Sequence, residues 1–142
     1  MPKVDLPLDQ RNIIITRSKE GILDIKKIFI SKGANVFDLP AISIADPDDL
    51  NPLDEALNQI NDFHWIIFSS SNGIKFVDKR LRYFNSSLKE CSKKTKIAVV
   101  GEKTSKTLDD FGIKADFIPP EFVAESLIDN FPVSGYGLRV FV

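Results

Sequence analysis

The sequence predicts an α/β fold with parallel sheets, and three observations support this prediction. Short, wholly apolar runs recur at residues 13–15, 65–68 and 97–100, and runs of this kind are typical of strands covered on both faces. A segment with helical spacing of apolar residues follows each run. The connections between them are short, as in right-handed crossovers between parallel strands.

The first part of the chain gives a strand, a helix and a second strand. After the strand at 13–15, apolar residues recur with helical spacing from Ile22 to Ile30. Ser18 is the expected N-cap and Gly33 the expected stop. A second strand is predicted at 34–39, followed by an extended stretch at 41–45 and an acidic turn at 46–49.

The remainder repeats this alternation. Helices are predicted around 53–60, 74–81, 103–110 and 123–131, strands at 65–68, 97–100, 115–118 and 138–142, and a loop or short helix at 83–96. Leu138 to Val142 has the composition of a central strand, and a parallel strand needs a covering helix that does not follow. We therefore expect a chain cut short.

Composition excludes several classes of protein. The chain is 43% hydrophobic, which predicts a folded core. Its net charge is −1 with a pI near 5.8, so no general field attracts nucleic acid or an anionic membrane. A single Cys and a single His leave no disulfide and no structural zinc site, which fits a reducing compartment. With no signal peptide or apolar run of about 20 residues, we expect a cytoplasmic protein.

Three turns at the ends of predicted strands carry the candidate binding residues. They are Thr16-Arg17-Ser18, the segment 69–73 (SSSNG) and the segment 101–105 (GEKTS). Helix N-termini at such turns offer free N–H groups and a partial positive charge to an anion. Each turn alone is more simply a helix cap. Three on one sheet, or on two facing sheets, favour an anion cradle.

Known phosphate loops do not fit these turns. A Walker loop ending at Thr104 would need glycine at positions 97 and 102, which are Ile97 and Glu102. The pair Gly135 and Gly137 precedes a strand instead of following one, which excludes a dinucleotide fingerprint.

Other reactive side chains have simpler interpretations. His64 is expected to be a hydrogen-bonded residue at a strand start, and Cys91 a surface thiol without a role. The lysine-rich segment 89–96 is interpreted as a solvated loop. The acidic turn is interpreted as a solvated turn in preference to a metal site; its acidic residues are Asp46, Asp48 and Asp49.

The order of motifs resembles one known family. The segments IIITRS, GANVFDLPAISI, DFHWIIFSSSNGIKFV and KIAVVGEKTSKTLDDFGIKADFIPPEFVAESLIDNF together resemble uroporphyrinogen-III synthase over nearly the whole chain. This resemblance implies two flavodoxin-like parallel-sheet domains joined by a two-stranded linker. Residues 1–37 would open domain one, 38–46 would be the outgoing linker, and 47–142 would form most of domain two. The rest of both domains would follow.

The resemblance also implies an activity. The family closes hydroxymethylbilane into uroporphyrinogen III, with loss of water and inversion of ring D, without a cofactor or a metal. By position, the substrate-binding residues would be Thr16, Arg17, Ser69, Ser70, Asn72, Gly101 and Thr104. Neither Tyr83 nor Tyr136 matches the family's candidate catalytic tyrosine, so no catalytic residue is assigned. The expected partner is the tetrapyrrole substrate alone, and the full-length protein is expected to be a monomer.

A second function class stays open from the residues themselves. A flavodoxin-like or receiver-like binding or regulatory module has the same alternation of strands and helices. A receiver would place an acidic pair after its first strand and an aspartate after its third. Here Thr16 and Arg17, and Ser69 and Ser70, follow the first two apolar runs.

Overall fold

A computed structural model describes residues 6–132 and 137–142. Gly135 and Tyr136 lie outside the described residues. The chain divides into two compact units, the first ending at Asp48 and the second beginning at Asp49. Within the described residues the fold is mixed α/β, with every paired strand parallel.

The helices and strands follow the predicted order. In chain order they are β1 (Asn12–Ile15), α1 (Lys19–Ser31), β2 (Asn35–Asp38), α2 (Asn51–Asn58), a 3-10 turn (Ile60–Asp62), β3 (Trp65–Phe68), α3 (Ser71–Tyr83), α4 (Leu88–Cys91), β4 (Lys96–Val99), α5 (Glu102–Asp110), α6 (Ala124–Asn130) and β5 (Val140–Phe141).

The first unit is a two-stranded parallel sheet with one helix. β1 pairs with β2 from Asn12↔Asn35 to Ile15↔Asp38. Ser18 is the N-cap of α1, and Gly33 follows the C-cap residue Lys32 with φ +94°, a left-handed conformation that glycine adopts without strain. The helix boundaries predicted from Ser18 and Gly33 are therefore confirmed.

The second unit is a three-stranded parallel sheet in the order β4-β3-β5. Alternate residues of β3 and β4 point to the same face of the sheet. On one face they pack against apolar residues of α2, α3, α4 and α5; this core comprises Leu57, Ile60, Ile66, Phe68, Ile74, Val77, Leu81, Leu88, Cys91, Ile97, Val99, Leu108 and Ile113. On the other face, the Trp65 ring contacts Phe131, the residue that ends α6, at 4.9 Å between centroids.

The prediction of a strand at 115–118 was wrong. Only Phe117 forms a bridge, to Ala98 of β4. The Asp116 carboxylate accepts the Ile97 N–H at 2.8 Å, so a side chain takes a donor that a continuous ladder would give to a backbone carbonyl. Pro119 then ends any pairing, because it has no N–H to donate.

Within the described residues β5 pairs with β3 alone, so the central position expected for it stays a prediction. A further expectation was wrong. Cys91 is buried, with 3% of its surface exposed. It shares the inward face of α4 with Leu88, three residues earlier, and the charged residues between them point outward.

Candidate functional site

The two turns of the second unit lie side by side at the carboxyl edge of its sheet. β3 and β4 end in register at Phe68↔Val99, and the Val100 N–H donates to the Phe68 carbonyl at 2.9 Å. α3 and α5 start directly after these strand ends. Two helix N-termini therefore open at the same edge, each with N–H groups that helix geometry leaves without an acceptor.

The first turn is organised by Ser70. This residue is the N-cap of α3, and its Oγ accepts the Gly73 N–H at 3.2 Å. The capping interpretation is therefore confirmed for Ser70. Ser69 and Asn72 are exposed on either side of it. Their side chains are open to solvent at the helix start, where an anion would meet them.

The second turn is organised by Gly101. It is the N-cap of α5 with φ +102°, a conformation that other residues adopt only with strain. A Cβ at Gly101 would lie 3.7 Å from Thr104 Oγ1, so the Thr104 hydroxyl faces this turn. Thr104 is buried in the first turn of α5, whose N-cap is Gly101. The turn therefore caps α5 through Gly101, and the role of the Thr104 hydroxyl stays a prediction.

Ser71 links the two turns, although it was not among the predicted binding residues. Its Oγ donates to the Lys103 carbonyl at 3.3 Å, joining the first turn of α3 to the first turn of α5.

A small cavity extends the first turn toward β5. It has a volume of about 170 Å³ and is lined by Ile67, Phe68, Ser69, Ser70, Gly73, Val77, Phe141 and Val142. Phe141 and Val142 were not among the predicted site residues. Their position follows from the parallel pairing of β5 with β3, which brings the carboxyl ends of both strands to one edge.

The third predicted turn belongs to the first unit. Thr16 follows β1, and its carbonyl accepts the Ala41 N–H at 3.2 Å. The Arg17 side chain folds over α1, because a Cβ at Gly21 would lie only 2.8 Å from Arg17 Nε. Both residues are exposed. The structure therefore gives this turn a geometry of its own.

The side chains interpreted without a catalytic role have ordinary surroundings. His64 Nδ1 accepts the Arg139 N–H at 3.0 Å, which confirms the hydrogen-bonded histidine at a strand start. Asp49 accepts the Asn51 N–H at 2.9 Å beside the start of α2.

Within residues 6–132 and 137–142, no group of three His, Cys, Asp or Glu side chains could hold a metal ion. No helix in the described part of the chain is long and apolar enough to cross a membrane.

The arrangement is suited to holding an anion. Its polar groups are backbone N–H groups, neutral hydroxyl and amide side chains, and the exposed charged side chains of Glu102 and Lys103 in the first turn of α5. The N–H, hydroxyl and amide groups donate hydrogen bonds without exchanging protons near neutral pH. Such donors stabilise a carboxylate through hydrogen bonds of fixed direction and through the helix dipole. The groups at this edge can therefore bind and orient an anionic ligand.

A family model described as uroporphyrinogen-III synthase HemD matches residues 24–142. The chain belongs to this family. A uroporphyrinogen-III synthase from Synechococcus elongatus is 39% identical over 136 residues, which cover 94% of this chain and 50% of the relative. A putative uroporphyrinogen-III synthase from Methanocaldococcus jannaschii is 32% identical over 117 residues, covering 82% of this chain and 45% of the relative. The chain thus spans about half the length of these two synthases.

A solved structure supports the fold. The chain matches the crystal structure of uroporphyrinogen III synthase from Thermus thermophilus with a TM-score of 0.54 and 10% identity, over 87% of this chain and 48% of that one. The α/β fold with parallel sheets is therefore that of the synthase family.

Proposed function

We propose that this chain provides the substrate-binding edge of a uroporphyrinogen-III synthase. The enzyme would close hydroxymethylbilane to uroporphyrinogen III, with loss of water and inversion of ring D, in the pathway to haem and related tetrapyrroles. Family membership supports the reaction, and the chain's own geometry supports the binding role.

The observation that carries the proposal is the pair of helix N-termini joined by Ser71. The substrate is a flexible chain with many carboxylates and is itself reactive, so the protein's main task is to hold it in one geometry. Two adjacent N-termini supply N–H donors whose directions are fixed before the substrate arrives. Preorganised donors of this kind stabilise developing charge without reorganisation.

Each predicted residue then has a proposed role. Gly101 lets the α5 N-terminus begin without a side chain between it and the ligand, and Thr104 adds a hydroxyl facing that turn. Ser70 fixes the start of α3, while Ser69 and Asn72 offer exposed polar groups beside it. Thr16 and Arg17 would bind substrate carboxylates from the first domain, with Arg17 as the cation.

The proposal includes the wider architecture. We propose that the two units belong to two flavodoxin-like domains, with residues 38–46 as one strand of a two-stranded linker. The free, buried thiol of Cys91 is consistent with a reducing, cytoplasmic location. The near-zero net charge of the chain supports a small anionic substrate over a nucleic acid or a membrane surface.

The activity test compares two lengths of protein. Hydroxymethylbilane is incubated with the 142-residue chain and with the longer protein that the resemblance predicts, and the product isomers are separated. The longer protein is expected to give type III, and the 142-residue chain only the type I background, because the cleft needs both complete domains. Type I alone from both proteins would refute the proposed function. Type III well above background from the 142-residue chain would refute the requirement for further segments.

The binding role is tested at Thr104 in the longer protein. Thr104→Val keeps the buried shape and removes the hydroxyl. A hydrogen bond to a charged group contributes about 1.5–3 kcal/mol, so KM should rise and turnover fall by about one to two orders of magnitude in all. The matched control is Thr107→Val, because Thr107 Oγ1 donates to the Lys103 carbonyl within the same helix. That control should lower the melting temperature and leave kinetics per folded molecule unchanged. Unchanged kinetics in Thr104→Val would refute the assignment of Thr104.

A further inference from the structure

A second cavity lies at the amino edge of the second unit's sheet, where β3 and β4 begin. It has a volume of about 380 Å³, and the residues that line it include His64, Trp65, Lys94 and Lys96. The candidate binding turns lie at the opposite, carboxyl edge, where the same two strands end. A concave space of this size falls within the range of small-molecule sites.

Hydrogen bonds between distant segments fix the backbone around this cavity. The Lys96 N–H donates to the His64 carbonyl at 3.1 Å, and the His64 N–H donates to the Arg139 carbonyl at 2.9 Å. Between the two lysines, Thr95 is 1% exposed and its Oγ1 donates to the Ile60 carbonyl at 3.1 Å. A ligand would therefore meet walls that are already ordered, which reduces the entropy lost on binding.

The cavity carries an excess of positive charge. Lys94 and Lys96 line it together with Asp62, the carboxylate among its described lining residues. Within the described part of the chain, neither ammonium group forms an ion pair with Asp62 or with another carboxylate. The net charge of the whole chain is only −1. These two cations are therefore a local concentration of charge that favours an anion.

Two aromatic rings stand beside the cationic groups. Lys96 Nζ lies 5.4 Å from the centre of the Trp65 ring, and the Arg139 guanidinium lies 4.6 Å from the centre of the Phe63 ring. Both rings belong to residues that line the cavity. Cation–π contacts of this kind hold the charged groups next to an apolar surface. A planar apolar molecule can therefore rest here while its anionic groups meet the cations.

His64 adds a donor of fixed direction. Its Nδ1 accepts the Arg139 N–H at 3.0 Å, so the neutral imidazole carries its proton on Nε2. Among the described residues, no protein group accepts a hydrogen bond from Nε2. Because His64 lines the cavity, this N–H can donate to an oxygen of a bound anion.

We propose that the amino edge of the second unit binds a small planar molecule with two negative charges, carried by carboxylate or phosphate groups. Lys94 and Lys96 pair with the anionic groups, His64 donates to one of them from Nε2, and Phe63 and Trp65 contact the planar body. This site is separate from the turns of the proposed function and does not rest on that function.

The test titrates the 142-residue chain with three probes. Benzene-1,3-dicarboxylate and phenyl phosphate each carry two charges on one ring, and benzoate carries one. The readout is the indole N–H signal of Trp65 in heteronuclear NMR spectra, because Trp65 is the chain's single tryptophan and lines the cavity. The doubly charged probes should move this signal and bind about 2- to 5-fold more tightly than benzoate, the contribution of one exposed ion pair. The tighter of the two shows which oxyanion the site takes.

Two results of the titration would overturn the proposal. One is equal affinity for benzoate and for both doubly charged probes, because the second charge would then have no partner. The other is an unmoved Trp65 signal at about 10 mM of either doubly charged probe, where a site with a Kd of about 1 mM would be about nine-tenths filled.

Variants separate this site from general attraction to the surface. Lys94→Gln and Lys96→Gln should each weaken binding of the doubly charged probes about 2- to 5-fold. The matched control is Lys93→Gln, which removes the same charge from an exposed lysine that is not among the lining residues, and its affinity should stay unchanged. Equal losses in all three lysine variants would overturn the proposal.

A fourth variant tests the imidazole donor. His64→Asn keeps an acceptor for the Arg139 N–H and lacks the donor at Nε2, so binding should weaken about 2- to 12-fold, the equivalent of one net hydrogen bond. Unchanged affinity in His64→Asn would refute the role given to His64. None of these measurements uses the reaction, so their failure would leave the proposed function untouched.

Discussion

Both units of the chain are built from parallel strands and helices, but the apolar side chains of their strands differ greatly in burial. In the second unit, Ile66 and Ile97 have no exposed surface, because helices cover their face of the sheet. In the first unit, Ile14 of β1 is 61% exposed and Phe37 of β2 is 56% exposed. A parallel sheet has two apolar faces, and one helix covers only part of one. Local pattern alone therefore does not make a core.

The largest expected contrast is in thiol reactivity. Burial raises the pKa of the Cys91 thiol, and the thiol is also inaccessible, so its reaction with a disulfide reagent requires the second unit to open. We expect Cys91 to react about a thousandfold more slowly than Ser31→Cys, placed on exposed α1 in a Cys91→Ser background. Equal rates would show that the Cys91 thiol is accessible without any opening of the second unit.

The second largest contrast is expected when one apolar strand residue of each unit is replaced by alanine and the free energy of unfolding is measured. Ile97→Ala removes a fully buried side chain and should lower the free energy of unfolding by about 2–5 kcal/mol in urea denaturation. Ile14→Ala removes the same atoms from an exposed position and should change it by about 0.5 kcal/mol or less. A similar loss in both variants would mean that the Ile14 face is covered in solution.

Hydrogen exchange gives a third measure without any substitution. The amides of residues 13–15 should exchange about a hundredfold faster than those of residues 97–99, because the β1–β2 ladder has fewer apolar residues around it. Mass spectrometry of peptic fragments can make this comparison. Equal protection would contradict the predicted division of the chain near residues 38–46.

The smallest effect concerns one ion pair in each unit. Arg80 donates Nε and Nη2 to the two carboxylate oxygens of Asp54, both at 2.6 Å, and this bond lowers the pKa of Asp54 below its ordinary 3.8. The pair therefore stabilises the fold fully above about pH 4, and the contribution is lost as the pH falls through the lowered pKa. Asp54→Asn should make the acid-induced loss of stability shallower.

The control for this prediction lies in the first unit. Asp38→Asn breaks the more exposed pair between Lys26 and Asp38, and pairs of this kind contribute about 0–1 kcal/mol. Its acid unfolding should closely follow that of the unmodified chain. If Asp54→Asn also leaves the acid limb unchanged, the α2–α3 pair contributes no more than the exposed pair.

The parts of the fold that could be predicted were those set by local pattern. Apolar runs and caps such as Ser18, Gly33 and Ser70 located the helices and strands, because these signals lie within a few residues of the element they define. The strand at 115–118 was predicted wrongly because the Asp116 carboxylate competes for the Ile97 N–H, a contact across 19 residues. No local pattern contains that information.

The candidate site shows the same division. The turns at 69–73 and 101–105 were predicted, since each directly follows an apolar run. Ser71 was not singled out within its turn, because its contact is with Lys103 of α5, 32 residues away, and Phe141 was missed because its position comes from the pairing of β5 with β3. The burial of Cys91 could have been predicted from the sequence, because Leu88 and Cys91 are three residues apart and form the inward face of one helical turn. The polar residues around them concealed this spacing.

The strand order β4-β3-β5 also bears on how the protein is made. Arg139 leaves the ribosome 75 residues after His64, a delay of about 4–15 s at ordinary rates of synthesis. During that time the edge of β3 that later receives β5 has no partner from its own chain. Unpaired edges of apolar strands recruit other chains. We therefore expect the sequence WIIF to be the main aggregation-prone segment of nascent chains stalled before residue 138, and a charged residue in place of Ile67 to relieve it.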